Sequence, residues 1–180
     1  MVGGKRGRVV TKSFREQLSP GDKYALGLGW LIANLLSLEY MLRIYLVDEE
    51  LGDDLGEKFP QYKRLHELQV GEKVPKNAFT EWDDLSDLIR EYNKHVAREL
   101  AIDFSIVDLR HALVHGRVSS PTLEGSLSLL KFSRPDKGDT QVSVECKYSL
   151  TSDWISEQKN KVAGEMKKVV RAKPHIFSYT

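Results

Sequence analysis

The segment from Tyr24 to Val47 limits the fold more than any other part of the chain. Tyr24, Leu28, Leu31, Leu35, Leu38, Leu42 and Tyr45 recur at helical spacing on one side, while Trp30, Met41 and Ile44 make the remaining surface apolar as well. A helix with so wide an apolar surface is either central to its own domain or shared with a partner chain. Its length is enough to span a bilayer. Asn34, Glu39 and Arg43 interrupt it, however, which favours a buried helix of a soluble protein and no membrane partner. Ser19-Pro20-Gly21-Asp22 marks the start, an N-cap candidate followed by proline at the first helical position, and the apolar pattern predicts an end at about Val47.

The 180 residues, 41% hydrophobic and 29% charged, suit one core, so residues 19–180 are expected to form a single domain behind a basic arm, residues 1–18. That arm carries Lys5, Arg6, Arg8, Lys12 and Arg15 against Glu16 alone, and Asp48, Glu49, Glu50, Asp53, Asp54 and Glu57 make an acidic counterpart. Both read first as solvated surface. A formal net charge of +1 gives no global attraction for nucleic acid, so a polyanion site must come from local clustering. The single Cys146 excludes an intramolecular disulfide, and the N-terminus lacks the apolar core of a signal peptide, so a reducing cytoplasm is expected.

Residues 51–78 have weak periodicity and predict a connection with one short helix at Tyr62 to Leu68. Thr80 is a cap candidate for a second helix whose face (Trp82, Leu85, Leu88, Ile89, Tyr92, Val96, Leu100) runs to about Ala101. Asp103 is a cap for a third, Phe104 to His115, ending at Gly116 in a left-handed C-cap. Two strand-like runs follow, Leu127 to Ser133 and Gln141 to Leu150, around the turn formers of residues 134–139. The second alternates Val142, Val144, Cys146, Tyr148 and Leu150, which predicts one buried face, and the first slips at Leu129-Leu130. A last helix, about Asp153 to Lys173, gathers Trp154, Ile155, Val162, Met166 and Val169. The fold class is therefore mainly α, an antiparallel helical bundle with an added β-hairpin at about 126–150.

Chemistry concentrates in Leu109-Arg110-His111-Ala112-Leu113-Val114-His115-Gly116-Arg117. Imidazole titrates near neutrality and guanidinium is a permanent fork of donors for phosphate oxygens. On a helix His111 and His115 share one stripe, whereas Arg110 and His115 lie roughly 140° apart; a second copy of the segment across a two-fold axis would bring two such sets into one cleft. Plainer roles compete. His115 beside Gly116 suits the helix C-terminus as a cation. His111 and His115 have the spacing of a zinc pair, but no HExxH pattern or second cysteine supplies further ligands, so no metal is expected. Arg110 can partner Glu39, the carboxylate embedded in the long apolar helix, which would orient Arg110 as well. No glycine-rich phosphate loop or Gly-x-Ser-x-Gly elbow occurs, so no cofactor is expected, and His66, His95 and His175 stand alone.

The run Arg110-His111-Ala112-Leu113-Val114-His115 resembles the R-x(4–6)-H signature of the HEPN superfamily, with four intervening residues. The resemblance implies a helical bundle that forms a homodimer in which motifs from both chains face each other, in many members a metal-independent endoribonuclease. Carried over by position, Arg110 and His115 would be the catalytic pair and His111 the polar residue between them, where asparagine is the commoner occupant. RNA is then the implied substrate, an antitoxin or other regulatory protein an implied partner, and toxin–antitoxin or phage defence the implied setting. The alternative reading is a non-catalytic dimer of the same fold that binds RNA, a nucleotide or a protein partner. A third is a purely structural dimer in which these side chains make interface hydrogen bonds.

Overall fold

Ser19 opens the first helix, α1 (Pro20–Leu51), through a reciprocal cap: its hydroxyl accepts from the Asp22 amide at 3.2 Å, and the Asp22 carboxylate accepts from the Ser19 amide at 3.3 Å. Such a cap contributes about 1 kcal/mol. The computed structural model describes residues 19–52, 67–120, 127–135, 137–138 and 140–177. The basic arm and most of the short helix expected at Tyr62 to Leu68 lie outside the described residues. So do Asp53, Asp54 and Glu57 of the acidic run.

α1 continues four residues past the expected end at Val47. Carboxylates at a helix C-terminus oppose the macrodipole, but here Lys173 pairs with Asp48 and, at 2.6 Å, with Glu49. Gly52, in the left-handed region at φ +57°, ends the helix.

The second helix, α2 (Leu85–His95), is shorter at both ends than its periodicity predicts. Asp84 caps it, accepting from the amides of Ser86 at 2.7 Å and Asp87 at 3.0 Å. Thr80 instead closes a turn by accepting from the Asn77 amide at 2.9 Å, and Trp82 stands in solvent. At the other end the Asn93 amide pairs with Ile102, donating to its carbonyl at 3.1 Å and accepting from its N–H at 2.8 Å. That side-chain pairing holds residues 96–102 off the helical path, with a 3₁₀ turn at Arg98–Leu100.

Helix α3 (Ser105–His115) has Asp103 accepting from the Ser105 amide at 2.9 Å. Three antiparallel strands follow in the order β1 (Arg117–Ser119), β2 (Ser128–Phe132) and β3 (Val144–Ser149). The expected hairpin is β2 and β3, and β1 adds a third strand, Arg117 opposite Leu130. The irregularity lies at Lys131/Phe132, two residues beyond the expected slip. The predicted buried face of β3 holds only at its end: Leu150 is buried and Cys146 and Tyr148 partly so, while Val142 and Val144 are exposed. Thr151 caps α4 (Ser152–Ala172), accepting from the Trp154 amide at 3.1 Å, and a short turn, α5 (Pro174–Phe177), follows.

α1 packs against α4, α2 and α3. Its row Leu31, Leu35, Leu38, Leu42 and Tyr45 meets Leu88, Ile89 and Tyr92 of α2, Ile106 and Leu109 of α3, and Val162 and Val169 of α4. The Tyr45 and Tyr92 rings meet edge to face at 4.7 Å. A smaller apolar cluster, Ala112, Leu129 and Leu150, seats the sheet on α3. By length and composition α1 is apolar enough to cross a membrane; in this fold its inner row is the core.

Candidate functional site

Helix α3 buries Ile106, Val107, Leu109 and Ala112, and this face positions the basic cluster at its C-terminal end. Gly116 is required there for closeness rather than for a left-handed cap, since its φ is −71°. A Cβ at Gly116 would lie 2.3 Å from the Ala112 carbonyl oxygen and 2.6 Å from Leu129 Cδ1. Glycine thus lets the sheet approach the last turn of α3. Arg117 Nη1 donates to the carbonyls of His115 at 3.0 Å and Gly116 at 3.3 Å, so its guanidinium satisfies acceptors that a helix end leaves open.

The His111 and His115 rings sit one above the other, centroids 6.0 Å apart and tilted by 60°. His111 and Arg110 are half-buried, and His115 is exposed. Burial pushes the His111 pKa below its ordinary 6.5; Lys131, Arg110 and His115 add repulsion in the same direction, against the Asp84 carboxylate. His111 is therefore held toward its neutral form, with one ring nitrogen free to accept a proton. Lys131 of β2 is itself paired with Glu145 at 2.6 Å. The structure brings His111 and His115 together with Arg110 near His111, and no hydrogen bond joins Arg110 to His115 among the described residues.

Glu39 is not part of this group. Its partner is Arg43, one turn along α1, at 3.2 Å, and among the described residues Arg110 makes no ion pair. Arg43 also donates to the carbonyls of Ala78 at 3.2 Å, Glu81 at 2.8 Å and Asp83 at 2.6 Å. The expected Arg110–Glu39 pairing is thus replaced by a local one, because the four-residue spacing on one helix already supplies a guanidinium. Sequence reasoning missed Asp84 and Lys131 as neighbours of His111. The Asp84-Leu85-Ser86-Asp87 cap pattern was a usable signal for the first, whereas nothing local places Lys131 beside α3.

Among the described residues no three His, Cys, Asp or Glu side chains gather to hold a metal ion. A groove of about 580 Å³ between α1 and α2 lies elsewhere and is lined by Glu49, Glu50, Glu81, Asp83, Asp87 and Glu91 along with Arg90, Lys94 and His95. Its carboxylates would repel a polyanion. Comparison with protein-family models, with curated proteins and with solved structures gives no match to this chain.

Proposed function

We propose that this protein is a metal-independent endoribonuclease of HEPN type, acting at a composite site in a homodimer. The observation that carries the reading is the His111–His115 pair, ring centroids 6.0 Å apart, beside Arg110, with His111 held toward neutrality. A neutral imidazole is the form that accepts a proton. His111 takes the proton of a ribose 2′-hydroxyl, O2′ attacks phosphorus, and the P–O5′ bond breaks as His115 delivers a proton to O5′. Arg110 stabilises the added negative charge on the pentacoordinate phosphorus. The products are a 2′,3′-cyclic phosphate and a 5′-hydroxyl, and DNA, lacking the 2′-hydroxyl, is not cleaved. The R-x(4–6)-H resemblance supports the assignment of Arg110 and His115.

One observation favours a second reading, a dimer that binds RNA, a nucleotide or a protein without turnover: on one helix Arg110 and His115 lie roughly 140° apart, and among the described residues no hydrogen bond joins them. Cleavage of labelled single-stranded RNA in excess EDTA separates the two. The parent cleaves, and His115→Ala and Arg110→Ala, each folded as judged by circular dichroism, lose about 100-fold or more. Mixing these two inactive variants restores about a quarter of parent activity if one chain's Arg110 serves the other's His115. Binding without cleavage by the parent establishes the second reading.

A further inference from the structure

Strand β2 carries a lysine on the side of the sheet that packs against α3. Leu129 marks that side: it clusters with Ala112 and lies 2.6 Å from where a Cβ at Gly116 would stand. Side chains alternate along a strand, so Lys131 shares the side with Leu129. Its partner on β3 is Cys146, which packs against the same apolar cluster. Extending the pairing of Arg117 with Leu130 by one residue sets Lys131 level with Gly116, at the last turn of α3. The field at His111 agrees with this placement. Burial lowers the His111 pKa most, and among the neighbouring charges Lys131 comes ahead of Arg110 and His115. Lys147, opposite Leu130, stands on the other side of the sheet and is exposed.

We propose that Lys131 is a phosphate-binding residue of the His111–His115 site, held by Glu145 when the site is empty and handed to a backbone phosphate of single-stranded RNA when the site fills. The inference rests on the RNA reading of that site. Arg110, His115 and Lys131 then supply three basic groups around His111, where the charge of a phosphodiester would lie. Glu145 pairs with Lys131 at 2.6 Å, and its side chain is 42% exposed against 25% for the lysine. A carboxylate so placed can turn to water at little cost, because a part-exposed ion pair is weak. A phosphate oxygen replaces it with another charge-assisted hydrogen bond. The Asp108 carboxylate, whose field also reaches Lys131, keeps the ammonium charged throughout. An ammonium is a point charge on a flexible stem, so Lys131 adds affinity for the RNA backbone and no choice of base.

The test is binding of a labelled 2′-O-methyl single-stranded RNA, which lacks the nucleophile, followed by fluorescence anisotropy across a salt series beside cleavage of the unmodified RNA. Lys131→Met, which keeps the aliphatic stem, should weaken binding about ten-fold and flatten the salt dependence by about 0.7 in log–log slope. Lys131→Arg should bind within about two-fold of the parent, and so should Lys147→Met, which removes the same formal charge from the other side of the sheet. Glu145→Gln should tighten binding, and the gain should vanish in the Lys131→Met background; a merely structural pair gives no such coupling. Equal weakening by Lys131→Met and Lys147→Met, or a Glu145→Gln gain that persists without Lys131, overturns the proposal even if the parent cleaves RNA. A parent that binds no 2′-O-methyl RNA at high micromolar concentration overturns it too. Lys131-dependent binding by a parent that leaves unmodified RNA intact upholds this inference and removes the ribonuclease reading.

Discussion

Along α1, residues 24–38 contain no charged side chain and expose Leu26, Trp30, Ile32 and Leu36, whereas residues 41–48 are buried apart from Arg43. The two halves are similarly apolar but differ in what the rest of the chain does. Residues 76–84 fold back over the second half: Arg43 holds their carbonyls, Glu50 accepts from the Ala78 amide at 3.2 Å, and the Phe79 ring meets Tyr40 edge to face at 5.7 Å. Lys173 closes the end by pairing with Asp48 and Glu49. No comparable anchor reaches the outer face of the first half among the described residues. Hydrophobicity reports how much surface a helix must hide, and leaves open whether its own chain or a second copy hides it.

The largest effect expected from this difference comes from truncating one leucine in each half. Leu42→Ala should cost about 3 kcal/mol of unfolding free energy, since Leu42 is fully buried and its removal leaves a cavity. Leu36→Ala in dilute solution should stay within about 0.5 kcal/mol. Equal costs in dilute urea titrations would erase the distinction between the halves.

Next in size is Arg43→Ala. It removes a largely buried guanidinium from three carbonyls and strands Glu39, so about 2 kcal/mol should be lost. Hydrogen exchange should rise in residues 77–84 before it rises in α4. If the variant melts within a degree or so of the parent, Arg43 is not what holds the cover in place.

The same contrast separates what could be read in the chain from what could not. Ser19 and Pro20 announced α1, and the His111–His115 stripe was legible because one helical turn is a local relation. The Asn93–Ile102 pairing that shortens α2 was hidden, since an asparagine amide replacing backbone partners leaves no periodic signal. β1 has three residues, too few to alternate, and exists because Gly116 lets the sheet approach α3. Glu39 was matched to a distant arginine although Arg43 stood one turn away. Lys131 reaches His111 only through the packing of β2 on α3, which no spacing in the sequence encodes.

The smallest effect concerns the end of the covered half. The Lys173 hydrogen bond, reinforced by its charge, holds the Glu49 carboxyl below its ordinary 4.5 despite partial burial, and burial, with the Glu49 carboxylate adding to it, pushes Tyr45 up to about 12. A carboxylate depressed in the folded state contributes stability that is present above its unfolded pKa and lost as pH falls through the folded one. The last turn of α1 should therefore loosen below about pH 4.5, while Leu31 to Leu38, whose stretch of α1 carries no titrating side chain, should not respond. Amide exchange at Val47 to Leu51, corrected for intrinsic rates and compared with Leu31 to Leu38, reads this directly. Lys173→Met should exchange quickly at neutral pH and lose the acid dependence. Parallel pH profiles for parent and variant would show that the clamp on Glu49 does not hold this turn, leaving Gly52 and the packing of Tyr45 to end the helix.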